Sequence, residues 1–157
     1  DQNGRPVSLA SFRGRPVIVT FIDPLCRNLC PLEAKVLSDV ESRFVPTARP
    51  QIVAVSVNPW GDARSHLVQD VQRWHLTPQW PWAVGGSNQL ASVWRRYQVA
   101  VRVTKKTIAG VTVREISHIE AAFLVDPAGY QRALYLYPFA AGDVARTVQQ
   151  LARAHSA

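Results

Sequence analysis

Val17-Ile-Val-Thr-Phe-Ile22 leads, through Asp23-Pro-Leu25, into Cys26-Arg-Asn-Leu-Cys30-Pro31 and then into the helical pattern that runs to Phe44. The first run is continuously apolar and β-branched, the pattern of a strand buried on both faces. Leu32, Val36, Val40 and Phe44 recur every fourth residue, which predicts a helix with one apolar face. Gln51-Ile-Val-Ala-Val-Ser-Val57 repeats the buried-strand pattern. Strand, helix, strand at this spacing is a βαβ unit, normally parallel and right-handed.

Working outward, the Asn58-Pro-Trp-Gly61 turn precedes a helix marked by Leu67, Val71 and Trp74, and Leu90, Trp94 and Tyr97 mark another. The pattern then changes. Ala121–Val125 reads as a strand, Asp126-Pro-Ala-Gly129 as a turn, and Tyr130–Tyr137 as an alternating strand, so the three form a hairpin. Val144, Val148 and Leu151 define a C-terminal helix. βαβα, then an antiparallel hairpin and a helix, is the thioredoxin-like plan: an α/β fold with a central mixed sheet flanked by helices. Residues 98–117 are an insertion, with Val99–Val103 and Val111–Ile116 flanking a turn. Residues 1–157 are expected to form a single domain.

A chain of this length buries enough surface for a real core. The net charge is +7, from 18 basic and 11 acidic residues. The basic side chains are scattered rather than striped, which argues against a nucleic-acid partner. No stretch approaches the roughly 18 apolar residues of a membrane span, and Asp1–Pro6 is polar and reads as a turn.

The only two cysteines are Cys26 and Cys30. A bond between them would close a very short loop and restrict the unfolded chain little, so redox or metal chemistry is the better reason for the pair. Pro31 lacks an N–H, which is harmless in a helix's first turn, so the helix is expected to start near Asn28 as N-cap. Both cysteines then sit at a helix N-terminus beside Arg27, an environment expected to favour thiolate at both. Thiolates suit Cu(I), zinc or iron–sulfur clusters. Structural zinc and iron–sulfur clusters want four ligands. A site of two sulfurs and one imidazole fits copper better.

Four histidines compete for the third place. His155 falls in the C-terminal tail, His66 on a charged helix face and His75 at a helix end, each a structural or solvated position. His118 immediately precedes the strand Ala121–Val125, in a loop that the thioredoxin plan turns towards the cysteine helix. Plain thioredoxins carry a proline there; this chain has none between Pro81 and Pro127. A buried, hydrogen-bonded histidine is the alternative reading of His118.

These segments together resemble the Sco family. Phe21-Ile-Asp-Pro-Leu-Cys-Arg-Asn-Leu-Cys-Pro-Leu-Glu33 is similar to its Cys-x-x-x-Cys-Pro motif, Ser56-Val-Asn-Pro59 to its Ser-x-Asp-Pro turn, and Ile116–Gly129 to its Asp-His strand block ending in Asp-Pro-x-Gly. The resemblance implies copper, as Cu(I) or Cu(II), on Cys26, Cys30 and His118. It further implies a role in assembling the CuA centre of cytochrome c oxidase, by copper delivery or thiol reduction. The implied partners are the CuA-bearing oxidase subunit or another copper chaperone, and a thiol reductant. The implied location is extracytoplasmic, on the outer face of a bacterial inner membrane, with an upstream strand and a membrane anchor expected before Asp1. Three Lys against fifteen Arg fits a GC-rich bacterium. Ser117 and Asn58 stand where the family often has Asp, which removes carboxylates that can orient a ligating histidine.

The main rival is a copper-independent thiol–disulfide oxidoreductase using Cys26 and Cys30 as a redox dithiol. A peroxiredoxin lacks support, because Pro24 lies two residues before Cys26. A CuA electron carrier would need His and Met where Ala34 and Leu37 stand, and the chain has no Met; a blue-copper site fails for the same lack.

Overall fold

The computed structural model describes residues 1–62 and 80–156. It is an α/β fold of the predicted thioredoxin-like kind. Strands β1 (Val17–Ile22), β2 (Gln51–Ser56), β3 (Trp82–Ala83), β6 (Ala121–Val125) and β7 (Gln131–Leu136) form a five-stranded sheet in the order β3-β2-β1-β6-β7. β1, β2 and β3 pair in parallel, while β6 and β7 run antiparallel. Strands β4 (Arg102–Ile108) and β5 (Val111–Ser117) form the inserted hairpin, apart from the main sheet. Its two-residue turn, Ala109-Gly110, takes positive φ at both positions, as a hairpin matched to the strand twist requires.

Strand alternation divides the core. Ile18, Ile22, Ile52, Ala54, Ala122 and Leu124 face helix α1 (Leu29–Glu41) and the C-terminal helix, here α3 (Ala141–Ser156). Val17, Val19, Phe21, Val53, Val55 and Phe123 face the other way, against helix α2 (Ser87–Arg96). There Phe21, Tyr97 and Phe123 meet edge to face, with ring centroids 5.0–5.6 Å apart. The predicted helix around Leu67, Val71 and Trp74, with His66 and His75, lies outside the described residues.

Three local readings change. The buried face of α1 is Cys30, Glu33, Ala34, Leu37, Val40 and Glu41, whereas Leu32 is exposed. Val40 of the predicted stripe is buried and Phe44 packs on the core, but the face is centred on Ala34 and Leu37 and takes in two buried glutamates. Each glutamate has a partner: the Thr20 hydroxyl donates to Glu33 at 2.8 Å, and the Trp80 indole N–H to Glu41 at 2.8 Å. Second, Asn28 holds the N-cap position without making a side-chain cap bond. Third, His155 belongs to α3 rather than to a tail. β3 had no sequence signal of its own. It forms where the buried Gln2 side chain caps the sheet edge, its amide donating to Trp80 O and its carbonyl accepting from Trp82 N, both at 2.9 Å.

Candidate metal centre

The register between β1 and β6 sets the site. Thr20 lies opposite Ala122 in an antiparallel pair. Carried two residues further, that register places Glu120 beside Ile22, at the start of the loop bearing Cys26. The residues just before β6 therefore meet the N-terminus of α1. The hairpin leads directly into them, since β5 ends at Ser117. Arg114 on β5 lies over the Trp60 ring, 4.9 Å from its centroid, which ties the hairpin to the turn after β2.

The structure brings Cys30 and His118 together across 88 residues of sequence, with Sγ and Nε2 3.7 Å apart. Cys30 is fully buried, and the His118 side chain is only 4% exposed. His118 Nδ1 lies 2.9 Å from the Ile119 carbonyl oxygen. A carbonyl only accepts, so Nδ1 carries a proton, and in the neutral ring Nε2 keeps its lone pair. This is how metal-binding histidines are commonly oriented.

Cys26 is half-buried and hydrogen-bonds to Cys30. That bond is the main reason its thiol pKa is pulled down to about 6, with the backbone N–H groups of Asn28 and Cys30 helping and the nearby Asp23 carboxylate opposing. Cys30 goes the other way. It supplies the proton of that bond, and burial adds to the rise. The expectation of thiolate at both cysteines therefore needs correction: one is acidified at the other's expense. The Arg27 guanidinium donates to the carbonyls of Pro24 and Cys26.

Glu120 is a residue the sequence reading missed. Its Oε1 lies 3.7 Å from His118 Nε2 and 3.8 Å from Cys30 Sγ. Among the described residues, Cys30, His118 and Glu120 form the one group of three such donors within 4.8 Å of each other. Cys26 stands beside this trio through its bond to Cys30. The available signal was the His118-Ile-Glu120 spacing: in extended chain, residues two apart share a side, and Ile119 between them points out, 42% exposed. Asp23, Cys26, Asn58, Arg114, His118 and Glu120 line a cleft of about 460 Å³. Asn58 is buried and donates to Asp23 at 2.9 Å. A cavity of about 520 Å³ near Pro6, Val55 and Leu90 has no sulfur or imidazole in its lining.

A soft thiol pair, an imidazole nitrogen and a carboxylate, meeting at the edge of a half-enclosed cleft, make a donor set for a transition metal. The SCO1/SenC family model matches residues 1–153. The chain belongs to the SCO1/SenC family. It is 28% identical over 134 residues to the mouse mitochondrial protein SCO2 homolog, a match that covers 82% of the chain and 50% of that protein. The chain thus spans about half the length of this curated relative. The fold is similar to that of Arabidopsis thaliana ScoI solved with copper bound, with a TM-score of 0.82 at 19% identity, covering 97% of this chain and 92% of that one. It is also similar to BsSco, a member of the Sco family of cytochrome c oxidase assembly proteins in which a disulfide switch was identified. That match has a TM-score of 0.73 at 21% identity, covering 98% and 89% of the two chains. No helix among the described residues is long and apolar enough to cross a membrane.

Proposed function

We propose that this SCO1/SenC protein binds copper through Cys26, Cys30 and His118 and passes it on, acting in the assembly of the CuA centre of cytochrome c oxidase. The observation that carries the reading is the meeting of Cys30 Sγ and His118 Nε2 at 3.7 Å, with the second thiol hydrogen-bonded to the first. Two soft sulfurs and one imidazole suit both copper states, and a set with no Met is unlike an electron-transfer site. Cys26, the accessible and acidified thiol, is the natural point of entry and exit. Handover to a partner's thiolates then proceeds by ligand exchange, each copper–sulfur bond replaced in turn, with no net redox change. The partner chemistry is a soft-ligand copper site on an oxidase subunit or another chaperone. The location consistent with that partner is extracytoplasmic and membrane-anchored.

The test is the copper stoichiometry of the reduced protein, wild type against His118→Ala. Wild type should take up one copper per chain, with strong visible charge-transfer absorption for Cu(II). His118→Ala should lose Cu(II) affinity more than Cu(I) affinity while keeping its fold. Wild type that leaves copper in solution would overturn the reading.

A second reading, copper-independent thiol–disulfide exchange, has its own support in the thiol pair. An acidified, accessible Cys26 beside a protonated, buried Cys30 is the arrangement of an attacking and a resolving thiol. Reduction of a model disulfide by His118→Ala at the wild-type rate, together with absent copper uptake by the wild type, would favour it.

A further inference from the structure

Donor atoms of three elements crowd the centre. The buried Cys30 thiol has one hydrogen to offer, and three groups face it: the Cys26 sulfur, His118 Nε2 and Glu120 Oε1. Nδ1 of His118 holds its proton against Ile119 O. Glu120 Oε1 faces His118 Nε2 at 3.7 Å, the same distance at which Cys30 Sγ faces that nitrogen. The carboxylate is held there. The Glu120 carbonyl accepts from Tyr137 N at 3.0 Å, which fixes its backbone to β7, and its side chain is only 13% exposed.

The three atoms form a nearly equilateral triangle with edges of 3.7, 3.7 and 3.8 Å. Its centre lies about 2.2 Å from each, within the roughly 2.0–2.3 Å that a first-row metal makes to nitrogen, oxygen and sulfur. We propose that Glu120 is a fourth ligand of this chain's copper site, an oxygen donor added to Cys26, Cys30 and His118. The assignment rests on the copper reading above.

The added carboxylate has a direction of effect. Oxygen is a hard donor and favours the divalent ion over Cu(I). Charge acts the same way. Two thiolates and one carboxylate leave a net charge of −1 around Cu(II) but −2 around Cu(I), and an unbalanced charge is costly in a half-buried cleft. Glu120 therefore biases the centre towards Cu(II).

The experiment compares Glu120→Gln and Glu120→Ala with wild type and with Asp39→Asn, a control towards the far end of α1 whose exposed carboxylate pairs with Lys35. Cu(I) and Cu(II) affinities are measured by competition, Cu(II) geometry by electron paramagnetic resonance, and folding by circular dichroism. The expected result is a fall in Cu(II) affinity of tenfold or more in both Glu120 variants, with a changed resonance spectrum. Cu(I) affinity should stay within about threefold, so the reduction potential rises by about 59 mV per tenfold difference. Asp39→Asn should match wild type. Unchanged Cu(II) affinity and spectrum in Glu120→Gln would overturn the ligand assignment while leaving copper binding intact. Equal losses for both ions would overturn it too, leaving Glu120 a positioning residue for His118. Wild type that binds neither ion would overturn the copper reading itself. Should the variants misfold, the wild type decides the matter through its infrared difference spectrum on Cu(II) addition. A shifted carboxylate band would support ligation, and an unshifted one would refute it.

Discussion

Glu33→Gln isolates a cost that the fold carries at neutral pH. Glu33 lies on the buried face of α1, receives one hydrogen bond from Thr20, and leaves Oε2 without a partner among the described residues. Burial is the main cause that pushes its pKa from an ordinary 4.5 up to about 8; the nearby Glu120 carboxylate adds to the rise and the Thr20 bond partly offsets it. The folded protein therefore holds this carboxyl protonated at pH 7, where the unfolded chain would ionise it. A raised folded pKa contributes full stability below pH 4.5, and that contribution is lost as the pH climbs towards 8. At about 1.4 kcal/mol per pH unit, the two and a half units between 4.5 and 7 cost about 3 kcal/mol. Glutamine can keep the Thr20 bond and does not titrate, but its N–H donors occupy the unpartnered position at a cost of about 1–3 kcal/mol. The variant should thus be less stable than wild type at pH 5 and equal or more stable at pH 7 and above. The assay is urea unfolding of the reduced, metal-free proteins from pH 5 to 8. Glu41 and Asp62, whose carboxyls are also pushed up by burial, titrate in both proteins and cancel in the difference. The difference should drift by about 1.4 kcal/mol per pH unit in favour of the variant. A difference that stays flat across this range would refute a protonated Glu33.

The thiols offer two further tests. Alkylation should select Cys26 with an inflection near pH 6, because at pH 7 a thiol of that pKa is about 90% thiolate against about 3% for an ordinary one. Cys30→Ala should move the inflection up, and a wild-type inflection above 8 would exclude the hydrogen-bonded pair. Mild oxidation should join Cys26 to Cys30, abolish copper uptake and change stability only modestly, since the loop is short; mass spectrometry under non-reducing conditions reads the loss of two hydrogens, and two persistent free thiols would contradict it.

Much of the fold was legible because its signals are local. β1 and β2 are runs rich in Val and Ile, the β6–β7 hairpin is announced by Asp126-Pro-Ala-Gly129, and α3 by its apolar spacing. The encounter of Cys30 with His118 also followed, since the topology brings the chain before β6 to the cysteine helix. What stayed hidden depends on partners distant in sequence. A glutamate reads as solvated, so Glu33 and Glu41 shifted the expected face of α1; bonds from Thr20 and Trp80, and the Arg49 charge near Glu41, help make their burial tolerable. β3 exists because the Gln2 amide reaches Trp80 and Trp82. The opposite shifts of the two thiols follow from the hydrogen bond that Cys30 gives to Cys26, with the burial of Cys30 adding to its rise, and a Cys-x-x-x-Cys spacing encodes neither.

The positions that depart from the family pattern gain a physical sense once charge near Cys26 is considered. Asp23 already raises the Cys26 pKa, and its Oδ1 accepts from the Leu25 N–H and the Asn58 amide, both at 2.9 Å. An aspartate at position 58 would set a second carboxylate against the first, and two acids that close cannot both ionise freely. Asn58 supplies a donor instead, so the loop keeps a single carboxylate beside the thiolate. On the other side of the cleft Ser117 is exposed and neutral, while Glu120, three residues on, stands within 3.7 Å of His118 Nε2. One carboxylate thus stands near the acidified thiol and one beside the imidazole, and Asn58 and Ser117 add no further charge to either. Under the proposed copper reading, that distribution leaves Cys26 acidified for capture and release of the metal, and the charge of Glu120 lies where it would favour the divalent ion.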